Sequence, residues 1–178
     1  YDRAIHHYTT SLSTVEIASL NATSLVKEFR KFFNSGVAGL VGDYKAYVVK
    51  NDPNDGDRIR ALIELLEKNG IQYGTGTGTG KGFNYHTSKE EVFNFSTGDL
   101  IISAAQPKAT MVKVLFEPRS KLVDSVTYDI TAWSLPYVFG ITAYASKERI
   151  NAGGAVSTQT VQNTAGDAYG YVIGWDGV

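Results

Sequence analysis

Apolar residues recur with helical spacing along residues 11–34, SLSTVEIASLNATSLVKEFRKFFN. Val15, Ile17, Leu20, Leu25, Phe29 and Phe32 fall on one broad face, with Lys27, Arg30 and Lys31 opposite. Ser13 followed by Glu16 has the spacing of a capping box, and Gly36 and Gly39 end the helix. The pattern then changes. Tyr44 to Val49 reads as a strand, and NDPNDGD (51–57) as a turn in which Asp55 or Asp57 caps the next helix. RIRALIELLEKN puts Ile59, Leu62, Ile63 and Leu66 on one face, with Gly70 as its C-cap. IQY opens a following strand, which predicts a βαβ unit with a right-handed crossover.

Beyond a glycine-rich run at 74–82, FNYHT and EVFNF read as short strands and TGDLIISA as a clear one. PKATMVKVLFEP is a helix, with Pro107 in its first turn, Met111, Val112 and Leu115 on an apolar face, and Pro118 as its stop. SVTYDITAWSLPYVFG is aromatic and poor in charge, hence well packed, and ITAYAS is another strand. Residues 151–168 are small and polar, a linker or a peripheral strand with loops, and YGYVIGW starts a further strand. The predicted class is α/β, with α+β as the alternative: a three-layer or two-layer sandwich with a βαβ unit, a mixed sheet and flanking helices. Three parts are expected: a helical segment at 1–40 that ends, or links from, an upstream domain; an α/β domain at 41–150; and a linker with a first strand toward a following domain at 151–178.

Composition narrows the function classes. The 178 residues are 43% hydrophobic and 20% charged, ordinary for a globular chain, and a formal net charge of -1 gives no steering toward nucleic acid or an anionic membrane. Cysteine is absent, which excludes disulfides, thiol catalysis and cysteine-ligated zinc. No apolar stretch reaches the roughly 18 residues of a membrane helix. The chain opens on Tyr1 and stops in mid-pattern at GYVIGWDGV, and so reads as a piece of a longer protein.

The run GTGTGTGKG invites a phosphate site, but register rejects it. A P-loop ending at Lys81 needs glycine at Thr75 and Ser or Thr at Gly82; a dinucleotide fingerprint needs glycine at Thr79, Lys81 or Phe83, according to frame. The run is therefore expected to be a loose, mobile connection. His6 and His7 are neighbours about 100° apart on a helix, and neither they nor His86 has a glutamate three residues on, so no zinc-ligand spacing exists. No G-x-S-x-G elbow is present, Glu90–Glu91 beside Lys89 is a solvated charge run, and NDPNDGD lacks calcium-loop spacing. The most distinctive stretch is TYDITAWSLP (127–136). There Asp129 caps a short helix, accepting from the N–H of Thr131 or Ala132, and Trp133 enters the core; on a second reading Tyr128, Asp129 and Trp133 line an interaction groove.

That stretch and its surroundings resemble a segment that follows the peptidase domain in bacterial zinc carboxypeptidases of the carboxypeptidase A-like family. The resemblance rests on Gly98, Gln106, Pro107, the Leu115–Pro118 run, Tyr128, Asp129, Thr131, Ala132, Trp133, Leu135, Pro136 and Gly140. It implies a non-catalytic accessory domain of a secreted or periplasmic metallopeptidase, packed on the upstream peptidase domain of the same chain and shaping peptide access to its cleft. Zinc would belong to the longer protein alone: no residue here matches the family's His-x-x-Glu pair, so no catalytic, cofactor-binding or metal residue is assigned and the fragment is expected to be inactive. The alternative is a peptide- or glycan-binding module using the Tyr128–Tyr137 surface.

Overall fold

The computed structural model describes residues 1–119 and 134–153. Helices α1 (Asp2–Leu20) and α2 (Ala22–Val37) lead into strand β1 (Ala46–Val49), helix α3 (Gly56–Lys68), strands β2 (Gly78–Asn84), β3 (Glu90–Phe95) and β4 (Leu100–Ser103), helices α4 (Ala109–Phe116) and α5 (Leu135–Phe139), and strand β5 (Ala143–Ser146). The mixed helix-and-sheet class expected from the pattern is present, in its two-layer form. The strand order is β3-β2-β5-β1-β4, and every pairing is antiparallel where a mixed sheet was expected. β1 and β2 do run in the same direction around α3, but β5 lies between them, so the expected βαβ unit is split.

The predicted α3 carries the main core. Ile59, Leu62, Ile63 and Leu66 are all buried, against Tyr47 and Val49 of β1, Leu100 and Ile102 of β4, Ala143 and Ala145 of β5, and Val112 and Phe116 of α4. Each such side chain contributes roughly 1.5–3 kcal/mol on burial. The Asp52 side chain accepts from Asn54 N–H at 2.9 Å and starts the 3₁₀ turn Pro53–Asp55 that leads into the helix. Gly70 (φ +64) then turns the chain out of α3 in a left-handed conformation that a side chain would oppose. α4 begins two residues after Pro107, and its buried face is Ala109, Val112 and Phe116; Met111, expected inside, is exposed, and Leu115 is partly buried.

Two further expectations differ from the structure. The helix placed at 11–34 is a pair that breaks at Asn21 and begins near the N-terminus, so Ser13 lies inside α1 and caps nothing. The Asn21 amide donates to the Ile17 carbonyl at 2.8 Å, and the hydroxyls of Ser11 and Thr14 donate to carbonyls one turn back; such bonds compete with the helix ladder and bend it. α1 has no buried residue and α2 only Gly36, which meets Gln106 and Ala109, so the apolar face is turned to solvent, not to a core.

The second correction concerns the glycine run, which is a strand. Residues 71–73 are not one; Gly74 exchanges two backbone hydrogen bonds with Ile101 (2.9 and 2.7 Å), and from Gly78 onward the chain is β2, paired Gly78↔Phe95 through Phe83↔Glu90. The lead-in to β2 therefore touches β4 while β2 itself pairs with β3, and the sheet curls toward a barrel. The alternating glycines lie against large side chains or backbone of neighbouring strands, with Gly80 and Gly82 buried and Gly78 exposed. A Cβ at Gly76 would lie 3.0 Å from Ile101 Cδ1, at Gly78 2.8 Å from Phe95 Cζ, and at Gly80 2.9 Å from Phe93 Cζ. Phe93 and Tyr144 stack at 4.2 Å and 13°, although their strands are separated by β2. They can meet because glycines offer no side chain between them, an aromatic filling of glycine positions that permits tight sheet curvature.

Candidate interaction surfaces

The buried polar side chains are engaged in holding backbone. Gln106, 1% exposed, accepts from Gln72 N–H at 2.7 Å and donates to the Gln72 and Ser103 carbonyls at 2.9 and 2.7 Å, which fixes the extended segment after α3. Asp99, 2% exposed, pins the bend between β3 and β4: it accepts from Asn51 N–H at 2.9 Å and Ser96 N–H at 2.8 Å and pairs with Lys50, whose ammonium also reaches the Asn94 carbonyl at 2.9 Å. Burial alone would raise the Asp99 pKa, but the Lys50 bond, the two N–H donors and the Lys50 charge together hold it below the ordinary value.

The Asn84 side chain builds the β2–β3 turn. Its Oδ1 accepts from His86 N–H at 2.8 Å, and its Nδ2 donates to Glu91 at 2.9 Å. Glu91 also accepts from Thr87, and these two hydrogen bonds lower its pKa. Glu90 and Glu91, read as a solvated charge run, are the first residues of β3, Glu90 exposed and Glu91 partly so. His6 and His7 lie exposed on α1 and His86 in the hairpin turn, so His86 is on a different element from the other two. Among the described residues no group of three or more His, Asp or Glu could hold a metal ion. No helix among them is long and apolar enough to cross a membrane.

Of the sequence candidates, Tyr128, Asp129 and Trp133 lie outside the described residues. What is described is the surface on either side of them. The chain passes Arg119 and returns at Ser134 along a line of rings: Tyr44 to Tyr47 at 6.2 Å, Tyr47 to Phe116 at 5.3 Å, and Tyr85 edge-on to both Phe83 (5.8 Å) and Tyr137 (5.1 Å). Tyr85 donates to the Phe116 carbonyl, and the Arg119 guanidinium sits 5.6 Å from the Phe83 centroid. Burial, then neighbouring Tyr47, pushes the Tyr85 phenol far up; burial, then Glu117, does the same to Tyr47. These phenols are held neutral and serve as packing and hydrogen-bond groups.

At the end of that line the two neighbouring helices α4 and α5 expose Met111, Val114, Tyr137 and Val138, the valines at 54% and 61%. No sequence signal separated these from core positions, because helical period alone does not say which apolar side lacks a neighbour. An open groove of about 730 Å³ lies along the α1–α2 break, lined by Thr10, Ser13, Ile17, Asn21 and Leu25 among others; no lining residue is charged. Comparisons with protein-family models, with curated proteins and with solved structures returned no match.

Proposed function

We propose that this chain is a non-catalytic accessory domain of a secreted or periplasmic zinc carboxypeptidase, packed on the catalytic domain of the same polypeptide and shaping peptide access to its cleft. The observation that carries the reading is the apolar surface of α4 and α5: Met111, Val114, Tyr137 and Val138 stand exposed on two adjacent helices, beside the stretch whose sequence resembles that family. The residues of the resemblance that are described have structural duties consistent with this. Gln106 clamps backbone, Phe116 is core, and Gly140 (φ +61) closes α5 in a left-handed turn.

Zinc and the peptidase chemistry would then reside in the longer protein, and this chain would contribute shape and rigidity. Zinc titration by calorimetry and a C-terminal amino-acid release assay test the reading on the isolated chain. No stoichiometric zinc and no release are expected; stoichiometric zinc binding with peptidase activity overturns it. In the chain joined to its catalytic domain, Val114→Glu with Val138→Glu should raise hydrogen exchange across α4 and α5 without unfolding α3.

The second reading, a peptide- or glycan-binding module, draws on the Tyr137 ring, which is 37% exposed and braced edge-on by Tyr85. Its test is Trp133→Ala: loss of binding with an intact fold favours it, whereas unfolding assigns Trp133 to the core.

A further inference from the structure

We infer that the α1–α2 helix is a dimerisation arm that pairs with a second copy of this chain, the two helices running antiparallel. Helices α1 and α2 together cover residues 2–37, roughly 50 Å at ~1.5 Å per residue, and touch little of the rest of the fold beyond the α4 contact at Gly36. Along them runs an alternating three-four repeat: Ile5, Tyr8, Leu12, Val15, Ser19, Ala22, Val26, Phe29, Phe33 and Gly36. This is the heptad seam of a coiled coil, sustained across the Asn21 break. From Ile5 to Phe29 its large residues are turned to solvent: Ile5 is 51% exposed, Tyr8 67%, Leu12 52%, Val15 67%, Val26 51% and Phe29 66%; Phe33 is partly buried, and at Gly36 the seam ends against α4.

The area matches what a dimer needs. Taking such side chains at about 150–200 Å² each, the exposed fractions come to roughly 530–710 Å² per helix. Two copies would bury roughly 1,100–1,400 Å², reaching the lower part of the ~1,200–2,000 Å² of a stable interface. One flank of the seam, Ala4, Ser11, Ala18, Leu25 and Phe32, carries no charge; the other, Thr9, Glu16, Thr23 and Arg30, carries one acid on α1 and one base on α2.

Charge selects the orientation. α1 carries Asp2 and Glu16 against Arg3, whereas α2 carries Lys27, Arg30 and Lys31 against Glu28. Antiparallel pairing sets the acidic half on the basic half, and parallel pairing sets like on like. It also keeps the two α/β bodies apart, since each sits at the Gly36 end of its own helix. Centred on the break, this register places Val15 opposite Val26 of the second copy, Leu12 opposite Phe29 and Tyr8 opposite Phe33. The small pair Ser19 and Ala22 meets where the helices bend.

Sedimentation equilibrium of the 178-residue chain tests the proposal. A species of twice 19.4 kDa is expected, and Leu12→Glu or Val26→Glu should weaken it by roughly 100-fold or more, because each buries an unpaired charge. The near-UV signal of the α/β body should be unchanged, since neither residue touches it. A wild-type monomer at high micromolar concentration overturns the proposal, as does a dimer that both variants leave intact. Orientation is read by cross-linking, which is clean in a chain without cysteine. Mixed V15C and V26C chains should form a disulfide-linked heterodimer; a linked V15C homodimer would overturn the antiparallel assignment.

Discussion

Gly80→Ala separates a slack connection from a packed strand by the sign of its effect. In a slack connection, replacing glycine by alanine restricts the unfolded chain and stabilises by about 0.4–1 kcal/mol. In the structure, the new Cβ would lie 2.9 Å from Phe93 Cζ and 3.3 Å from Cε1 and Cε2. Carbon atoms pack at ~3.5–4.0 Å, so the contact is short by roughly 0.6 Å. Phe93 has little room to yield, being 5% exposed and stacked on Tyr144 at 4.2 Å. Overpacking of this kind costs about 1–3 kcal/mol, which exceeds the unfolded-state gain and leaves a net loss of ~1–2 kcal/mol. Gly82→Ala is the harsher case. Its Cβ would meet the Ala145 carbonyl oxygen at 2.5 Å, and that atom belongs to the neighbouring strand and cannot rotate aside. Urea unfolding followed by far-UV circular dichroism gives both values from the midpoint at constant slope. Phe93→Leu in the Gly80→Ala background should recover about 1 kcal/mol relative to additivity, because the clash is with the ring. A higher midpoint for both alanine variants would refute the reasoning.

Asp99→Ala leaves two backbone donors and Lys50 without their acceptor and should cost roughly 3 kcal/mol in the same assay. Because the folded Asp99 pKa lies below its ordinary 3.8, the native state binds the proton less readily than the unfolded chain. Its stabilisation is thus complete above about pH 4–5 and is lost as pH falls through the folded pKa, a dependence that Asp99→Asn should remove from acid unfolding curves. Gln106→Ala should destabilise by about 1–3 kcal/mol and speed hydrogen exchange at Gln72, whose N–H loses its partner. In alkaline titration followed by ultraviolet absorbance, Tyr47 and Tyr85 should ionise only as the fold is lost, since burial raises both phenols; reversible ionisation of all tyrosines near pH 10 in folded protein would contradict their placement.

What was legible in the sequence follows from how local each cause is. The buried residues of α3 are legible because its amphipathic period, the turn before it and Gly70 just after it are all local in sequence. β4 and β5 were read because both are short apolar runs. The order of the strands was not, since β5 enters between β1 and β2 from about sixty residues further on, and no local pattern encodes that. Nor was the fate of the 11–34 apolar face legible: helical period reports that a face exists, not whether the rest of the chain comes to cover it. For the candidate surface, TYDITAWSLP drew attention through composition, while the described part of that surface, Tyr137 and Val138, drew none of its own beyond an aromatic-rich context.

Mismatch to the phosphate-binding fingerprints leaves the glycine run without a role, but it carries more than one signal. Its second signal is the period. Glycine at every other position from 74 to 82 is strand alternation with one face left empty. An empty face is stable only if something large fills it, and V-F-N-F, with its own two-residue alternation, follows one hairpin later. The pairing Gly78↔Phe95 and Gly80↔Phe93 brings each glycine opposite a phenylalanine. A one-residue slip would turn the rings to the other face of the sheet and set Thr79 and Lys81 against them, so the complementary patterns also specify the register. The low complexity of the run is thus one half of a two-strand code, readable only with the other half beside it.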